Sequence, residues 1–268
     1  MLTMTAPTGR SERRWRRYVA LGDSFTEGVG DPGPDDVPRG WADRVAATLA
    51  EATPDLLYAN LAIRGRRFNR VVAEQVPAAL AMEPDLVSFA AGGNDLLRPG
   101  FELRPMIERF DDVVAGFRAT GADVIVFRFA DLSRRLPLRR VVHRRVLAMN
   151  DAVVEVGDRR GAHVVDMFND AVLDDARCWA DDRLHLSGTG HGRVASLVLG
   201  RLGLPAASVT DPPSPATASS WLAARHADLR WAYAYLGPWV HRRLTGRSSG
   251  DDRRPKRPVL APVIDPAG

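Results

Sequence analysis

The chain has 268 residues, enough to bury one full core with a small appendage. It is 45% hydrophobic and 26% charged, the composition of a soluble globular protein. A single cysteine, Cys178, excludes an internal disulfide framework and favours a reducing, cytoplasmic setting. The net charge is only +4, and Lys256 is the sole lysine, so arginine supplies nearly all the basic charge. Arginine stays charged at high pH, which lifts the pI to about 9.8 without creating a case for a nucleic-acid partner. No apolar run approaches the roughly 20 residues that span a bilayer. Arg13 and Arg14 imitate a twin-arginine export signal. The apolar stretch behind them ends at Leu21, too short for such a signal, so residues 1–15 read as a flexible basic leader.

Strand-like and helix-like segments then alternate. Residues 17–21 (RYVAL) form a short apolar strand, and 41–52 carry helical apolar spacing. Residues 56–62 read as a second strand and 68–82 as a helix. A buried strand at 85–90 precedes a helix at 104–119. Residues 123–129 (DVIVFRF), rich in β-branched side chains, give the clearest strand. A long helix at 139–157 and a fifth strand at 163–167 follow. The last helix of the pattern spans 187–202, with Ser187 as N-cap. The alternation predicts an α/β fold, a parallel five-stranded sheet covered by helices on both faces. Residues 205–220, rich in Pro, Ser, Ala and Thr, read as a linker. An amphipathic helical segment is expected at 221–245 and a disordered basic tail at 246–268.

Four short motifs fall where such a sheet places its ligands, beyond the carboxyl ends of the strands. Gly22-Asp23-Ser24 follows the first strand and Gly65, in NLAIRG, the second. Gly92-Gly93-Asn94-Asp95 follows the third, and Asp182-Arg183-Leu184-His185 lies after the fifth. A serine hydroxyl needs a base to become a nucleophile, and a histidine held by a carboxylate supplies one. Ser24, His185 and Asp182 are those three groups. Backbone N–H groups of Ser24 and Gly65, with the Asn94 side-chain amide, are candidate donors to a developing oxyanion. Asp181 competes with Asp182, but the three-residue spacing to His185 favours Asp182. His191 falls in the first turn of a helix, where capping or packing explains it.

In these four blocks the sequence resembles the SGNH (GDSL-type) serine hydrolases, a family of esterases and lipases. Ser24, Gly65, Asn94 and His185 match the family's four blocks, Asp182 completes the last one, and the likeness runs over residues 16–204. The resemblance implies a flavodoxin-like three-layer α/β/α sandwich with strand order 2-1-3-4-5. It also implies cleavage of a small-molecule acyl ester through an acyl-enzyme on Ser24, with no metal or other cofactor. Thioesterase, lysophospholipase and carbohydrate O-deacetylase activities would use the same machinery, and the sequence does not separate them. A reading from another class is a non-catalytic docking protein that uses the C-terminal helix and basic tail.

Two pattern matches fail on context. Gly246, Ser248 and Gly250 fit the G-x-S-x-G elbow, but a helix precedes them and no histidine follows. Gly28, Gly30 and Gly33 fit a dinucleotide fingerprint, yet the prolines and acids interleaved there block a helix start and repel a pyrophosphate. That segment reads as a loop beside the nucleophile that shapes the substrate entrance. The arginine-rich stretch 134–145 reads as a solvated face, with contact to an anionic substrate group as the alternative. Membrane-surface contact through 221–245 is conceivable, but packing onto the domain is the simpler reading.

Overall fold

A computed structural model describes residues 15–135, 139–205 and 248–263, together with 233, 234 and 237. The leader through residue 14, the linker from 206, and the expected helical segment apart from those three positions lie outside the described residues.

The elements follow in order. Strand β1 (Arg17–Gly22) leads into the one-turn helix α1 (Ser24–Glu27), a loop, and helix α2 (Gly40–Ala52). Strand β2 (Leu57–Asn60) is followed by α3 (Phe68–Ala81), and β3 (Leu86–Ala90) by the short α4 (Gly93–Leu96) and α5 (Leu103–Ala119). Strand β4 (Asp123–Arg128), α6 (Arg139–Arg160), β5 (His163–Asp166), α7 (Gly188–Arg201) and β6 (Arg257–Pro262) complete the fold. The sheet order is β5-β4-β3-β1-β2-β6. Its first five members are parallel, in the 2-1-3-4-5 order that the resemblance implies.

Side chains alternate across the sheet, as strand geometry requires. Val19, Leu21, Val87, Phe89, Val124 and Val126 face a layer built from α3, α5 and α6. Tyr18, Ala20, Leu86, Ile125 and Phe127 face the opposite layer, formed by α2 and α7. The result is a three-layer α/β/α sandwich. Ser187 caps α7, accepting the Gly190 N–H at 3.3 Å.

Two sequence expectations are corrected. The tail expected to be disordered over 246–268 contains β6, which pairs antiparallel with β2 and gives the sheet six strands instead of five. Pro258 and Pro262 are tolerated there because β6 lies at the sheet edge, where an outward N–H has no partner to lose. Residue 15 does not belong to the flexible leader expected over 1–15. Trp15 is buried, and its indole N–H donates to Asp123 Oδ2 at 3.0 Å.

Candidate active site

The carboxyl edge of the parallel strands carries an open cleft. Asp23, Ser24, Asn94 and His185 share its wall with apolar side chains that include Phe25, Leu97, Phe129, Met167, Leu173 and Trp179. Ser24 is the first residue of α1, directly after β1. Gly22 lets that turn close: a Cβ there would lie 2.5 Å from the Ala90 carbonyl oxygen at the end of β3.

His185 sits in a tight loop between β5 and α7. Its Nδ1 meets Asp182 Oδ2 at 2.5 Å. The other carboxylate oxygen, Oδ1, accepts the backbone N–H groups of Leu184 and His185 at 3.0 and 2.9 Å. Burial favours protonation of Asp182, but the His185 hydrogen bond, its charge and these two N–H groups outweigh it and lower the pKa to about 2. Asp182 is therefore an anion that fixes the His185 ring and its Nδ1–H tautomer. The other ring nitrogen, Nε2, makes no hydrogen bond to any described residue. Asp181, the competing carboxylate, is exposed.

Asn94 lies in α4, with its side-chain nitrogen donating to Asp23 Oδ2 and to the Arg66 carbonyl, each at 3.0 Å. Asp23 is buried, and its Oδ1 accepts the Phe25 N–H at 3.2 Å. Burial pushes its pKa up to about 6, against the Phe25 N–H, the nearby His185 charge and the Asn94 amide. Gly65 is not on the cleft wall. It sits on the neighbouring loop at φ 74°, next to Ser248 and Ser249 of the C-terminal segment. Among the described residues, the backbone N–H groups of Ser24 and Gly65 have no acceptor.

Sequence reasoning did not find two further contributors. Buried Asn150 on α6 brackets Phe129, accepting its N–H and donating to its carbonyl at 2.8 and 2.9 Å, which fixes a cleft-lining residue past the end of β4. Asp23 was visible only as part of the GDS triplet. Neither belongs to a spacing pattern that reveals its partner. Other expectations resolve locally. His191 is buried; Nδ1 accepts from Trp41 N and Nε2 faces the Val29 carbonyl, both at 3.2 Å. Burial lowers its pKa to about 4, so it is a neutral packing residue. The loop at 28–39 does not line the cleft, contrary to its expected part in the entrance. Within the arginine-rich stretch, Arg145 donates to the carbonyls of Leu96 and Arg98, and Arg135 stacks over Trp179 at 4.7 Å. Among the described residues, no group of three or more His, Cys, Asp or Glu side chains is gathered as a metal ion would require. No described helix is long and apolar enough to cross a membrane.

Residues 20–193 match the GDSL-like lipase/acylhydrolase family. The chain belongs to that family. Membership makes it an ester hydrolase of the SGNH type. A Bacillus subtilis relative, the uncharacterized protein YpmR, is 28% identical over 204 residues, which cover 67% of this chain and 78% of that protein. Among solved structures, TesA superimposes with a TM-score of 0.58 at 24% identity, over 70% of this chain and 98% of its own. A catalytic mutant of Axe2, an acetylxylan esterase from Geobacillus stearothermophilus, reaches a TM-score of 0.61 at 20% identity, over 71% of this chain and 95% of its own. These two likenesses concern the fold. The chemistry rests on the family and on the residues of the cleft.

Proposed function

We propose that this family member cleaves a carboxylic ester of an apolar acyl group through an acyl-enzyme on Ser24. Ser24 Oγ attacks the carbonyl carbon while His185 Nε2 takes its proton. Asp182 holds the imidazole and stabilises the imidazolium that forms. The oxyanion is met by the Ser24 N–H, by the Gly65 N–H from the loop beside the cleft, and by the Asn94 amide in exchange for one of its present acceptors. His185 then returns the proton to the leaving alcohol and activates the water that releases the acid. The observation that carries this reading is the Asp182–His185 pair on the cleft that also holds Ser24. The Ser24 and Gly65 N–H groups have no acceptor among the described residues and are therefore available to an oxyanion.

The wall bears on the substrate. Phe25, Leu97, Phe129, Met167, Leu173 and Trp179 offer an apolar surface to an acyl chain and few donors to a sugar ring. This favours an acyl ester or thioester over a carbohydrate acetyl group. Cytoplasmic residence, read from the lone cysteine, belongs to the same proposal; Cys178 is a buried free thiol.

Hydrolysis of p-nitrophenyl esters of increasing chain length tests this reading, with wild type and Ser24→Ala side by side. The expected result is a maximum beyond acetate and no turnover by Ser24→Ala. Activity confined to acetyl esters contradicts the acyl preference, and turnover by folded Ser24→Ala contradicts the nucleophile.

A further inference from the structure

The C-terminal segment lies outside the residues that match the family, yet it reaches the elements that carry Ser24 and Gly65. Lys256 directs its ammonium into a cage of oxygens. It donates to the carbonyls of Glu27, Pro38 and Arg39 at 2.6, 2.8 and 2.9 Å, and to the Asp43 carboxylate. Its side chain is only 9% exposed. These acceptors belong to three places: the end of the nucleophile helix α1, the loop after it, and the start of α2. Lysine is suited to such a cage because three N–H donors on a compact head can serve several carbonyls at once.

Glu27 links the cage to Gly65. Its carbonyl receives Lys256, while its carboxylate takes the Arg64 backbone N–H at 2.5 Å and the Arg64 guanidinium at 2.8 and 2.5 Å. Arg64 is the residue before Gly65. Two more contacts come from the same C-terminal segment. Ser248 Oγ donates to the Gly65 carbonyl at 3.2 Å, and the Gly250 carbonyl accepts from Arg66 at 3.4 Å. The Gly65 loop is thus held from α1 on one side and from residues 248–250 on the other.

We propose that residues 248–262 form an internal clamp, with Lys256 as a positioning residue that sets the nucleophile helix and the Gly65 loop in register for ester hydrolysis. The inference rests on the reading of Ser24 and Gly65 given above. Lys256 touches no reacting atom. It acts through Glu27, and its effect falls on the transition state, because the Gly65 N–H strengthens its bond only as the oxyanion forms. Loss of the clamp therefore lowers kcat more than it changes KM.

The test uses the full chain and a p-nitrophenyl ester, with kcat, KM and Tm measured together. Lys256→Met removes the ammonium that pairs with the partly buried Asp43, which threatens folding. The double variant Asp43→Asn/Lys256→Met removes both charges and serves as the companion. Ser248→Ala deletes the hydroxyl that donates to Gly65 and accepts the Gly250 N–H. The clamp predicts a fall of about tenfold in kcat for both Lys256 variants, with KM within about twofold, even where the double variant regains Tm. Ser248→Ala shows a smaller fall of the same kind. Recovery of wild-type kcat alongside Tm in the double variant, together with unchanged kcat in Ser248→Ala, overturns the proposal and leaves Lys256 a purely structural residue. A parallel Ser24→Ala measurement separates the two levels. Retained turnover there defeats the nucleophile assignment itself, whereas lost turnover with wild-type kcat in the Lys256 variants defeats only the clamp.

Discussion

The side-chain amide of Asn94 donates to the buried carboxylate of Asp23 at 3.0 Å, so the candidate oxyanion donor and the residue before the nucleophile are joined directly. Asp23 also caps α1 through the Phe25 N–H. One carboxylate thereby orients the helix that begins with Ser24 and the amide opposite it. The amide's second acceptor, the Arg66 carbonyl, ties it to the loop that carries Gly65. Both N–H donors of the amide are thus engaged, so donation to an oxyanion exchanges one of these acceptors for the oxyanion while the other keeps the amide in place.

Asp23 makes stability depend on pH in a definite direction. Burial raises its folded pKa from 3.8 to about 6, so folding favours the protonated form. Its stabilising contribution is complete below 3.8 and is lost as the pH rises through about 6. Asp23→Asn stays neutral throughout. Its unfolding free energy, compared with wild type by urea titration, should gain on wild type by up to about 3 kcal/mol between about pH 4 and about pH 7. A difference that stays flat over this window contradicts the assignment.

Asp182 behaves in the opposite sense. Its pKa is lowered to about 2, so its contribution is present above 3.8 and fades as the pH falls toward 2. At neutral pH it is the anion that fixes His185. Asp182→Asn keeps the shape but loses that charge and leaves the tautomer of His185 unspecified. Steady-state kinetics should show kcat lower by about 10³–10⁴. A loss below tenfold would mean that His185 is oriented by something else.

Asn94→Ala removes one oxyanion donor. The expectation is a fall in kcat of about 10²–10³ with KM little changed, because the bond is made chiefly in the transition state. A rise in KM at constant kcat would move Asn94 from catalysis to ground-state binding.

Gly65→Ala probes the loop from another side. At φ 74° a side chain is strained, and a Cβ there would lie 2.3 Å from Ser248 Oγ. The strain alone costs about 1–2 kcal/mol. Adding Ser248→Gly relieves the tightest contact and leaves Ser249 Oγ, at 2.8 Å from the Cβ, and the backbone strain. The pair should therefore recover some Tm by calorimetry, and equal Tm values for the single and double variants contradict the contact.

The parallel sheet was legible because each of its strands announces itself locally. The run at 123–129 and the alternation with amphipathic helices need no tertiary information, and the four motifs fall behind four of those strands. The sixth strand was not legible. Its sequence, RPVLAP, has prolines at two of six positions and follows a run of charges, which reads as an unstructured tail. What makes it a strand is the open edge of β2 and the cage around Lys256, both assembled by residues about 200 positions away. The Asp23–Asn94 bond was hidden for the same reason. Each residue belongs to a recognisable motif, but no spacing rule couples residues 71 positions apart. The Asp182–His185 pair, three residues apart, was legible because one short loop presents both.

The central claim is that Ser24 is the activated nucleophile. Intact mass after treatment with a fluorophosphonate, on wild type and on Ser24→Ala, tests it most directly. Phosphonylation requires a serine whose proton is taken by a base and whose oxyanion is met by donors. The account predicts a single adduct on wild type and none on Ser24→Ala. An unmodified, well-folded wild type, or an adduct that persists in Ser24→Ala, would contradict it.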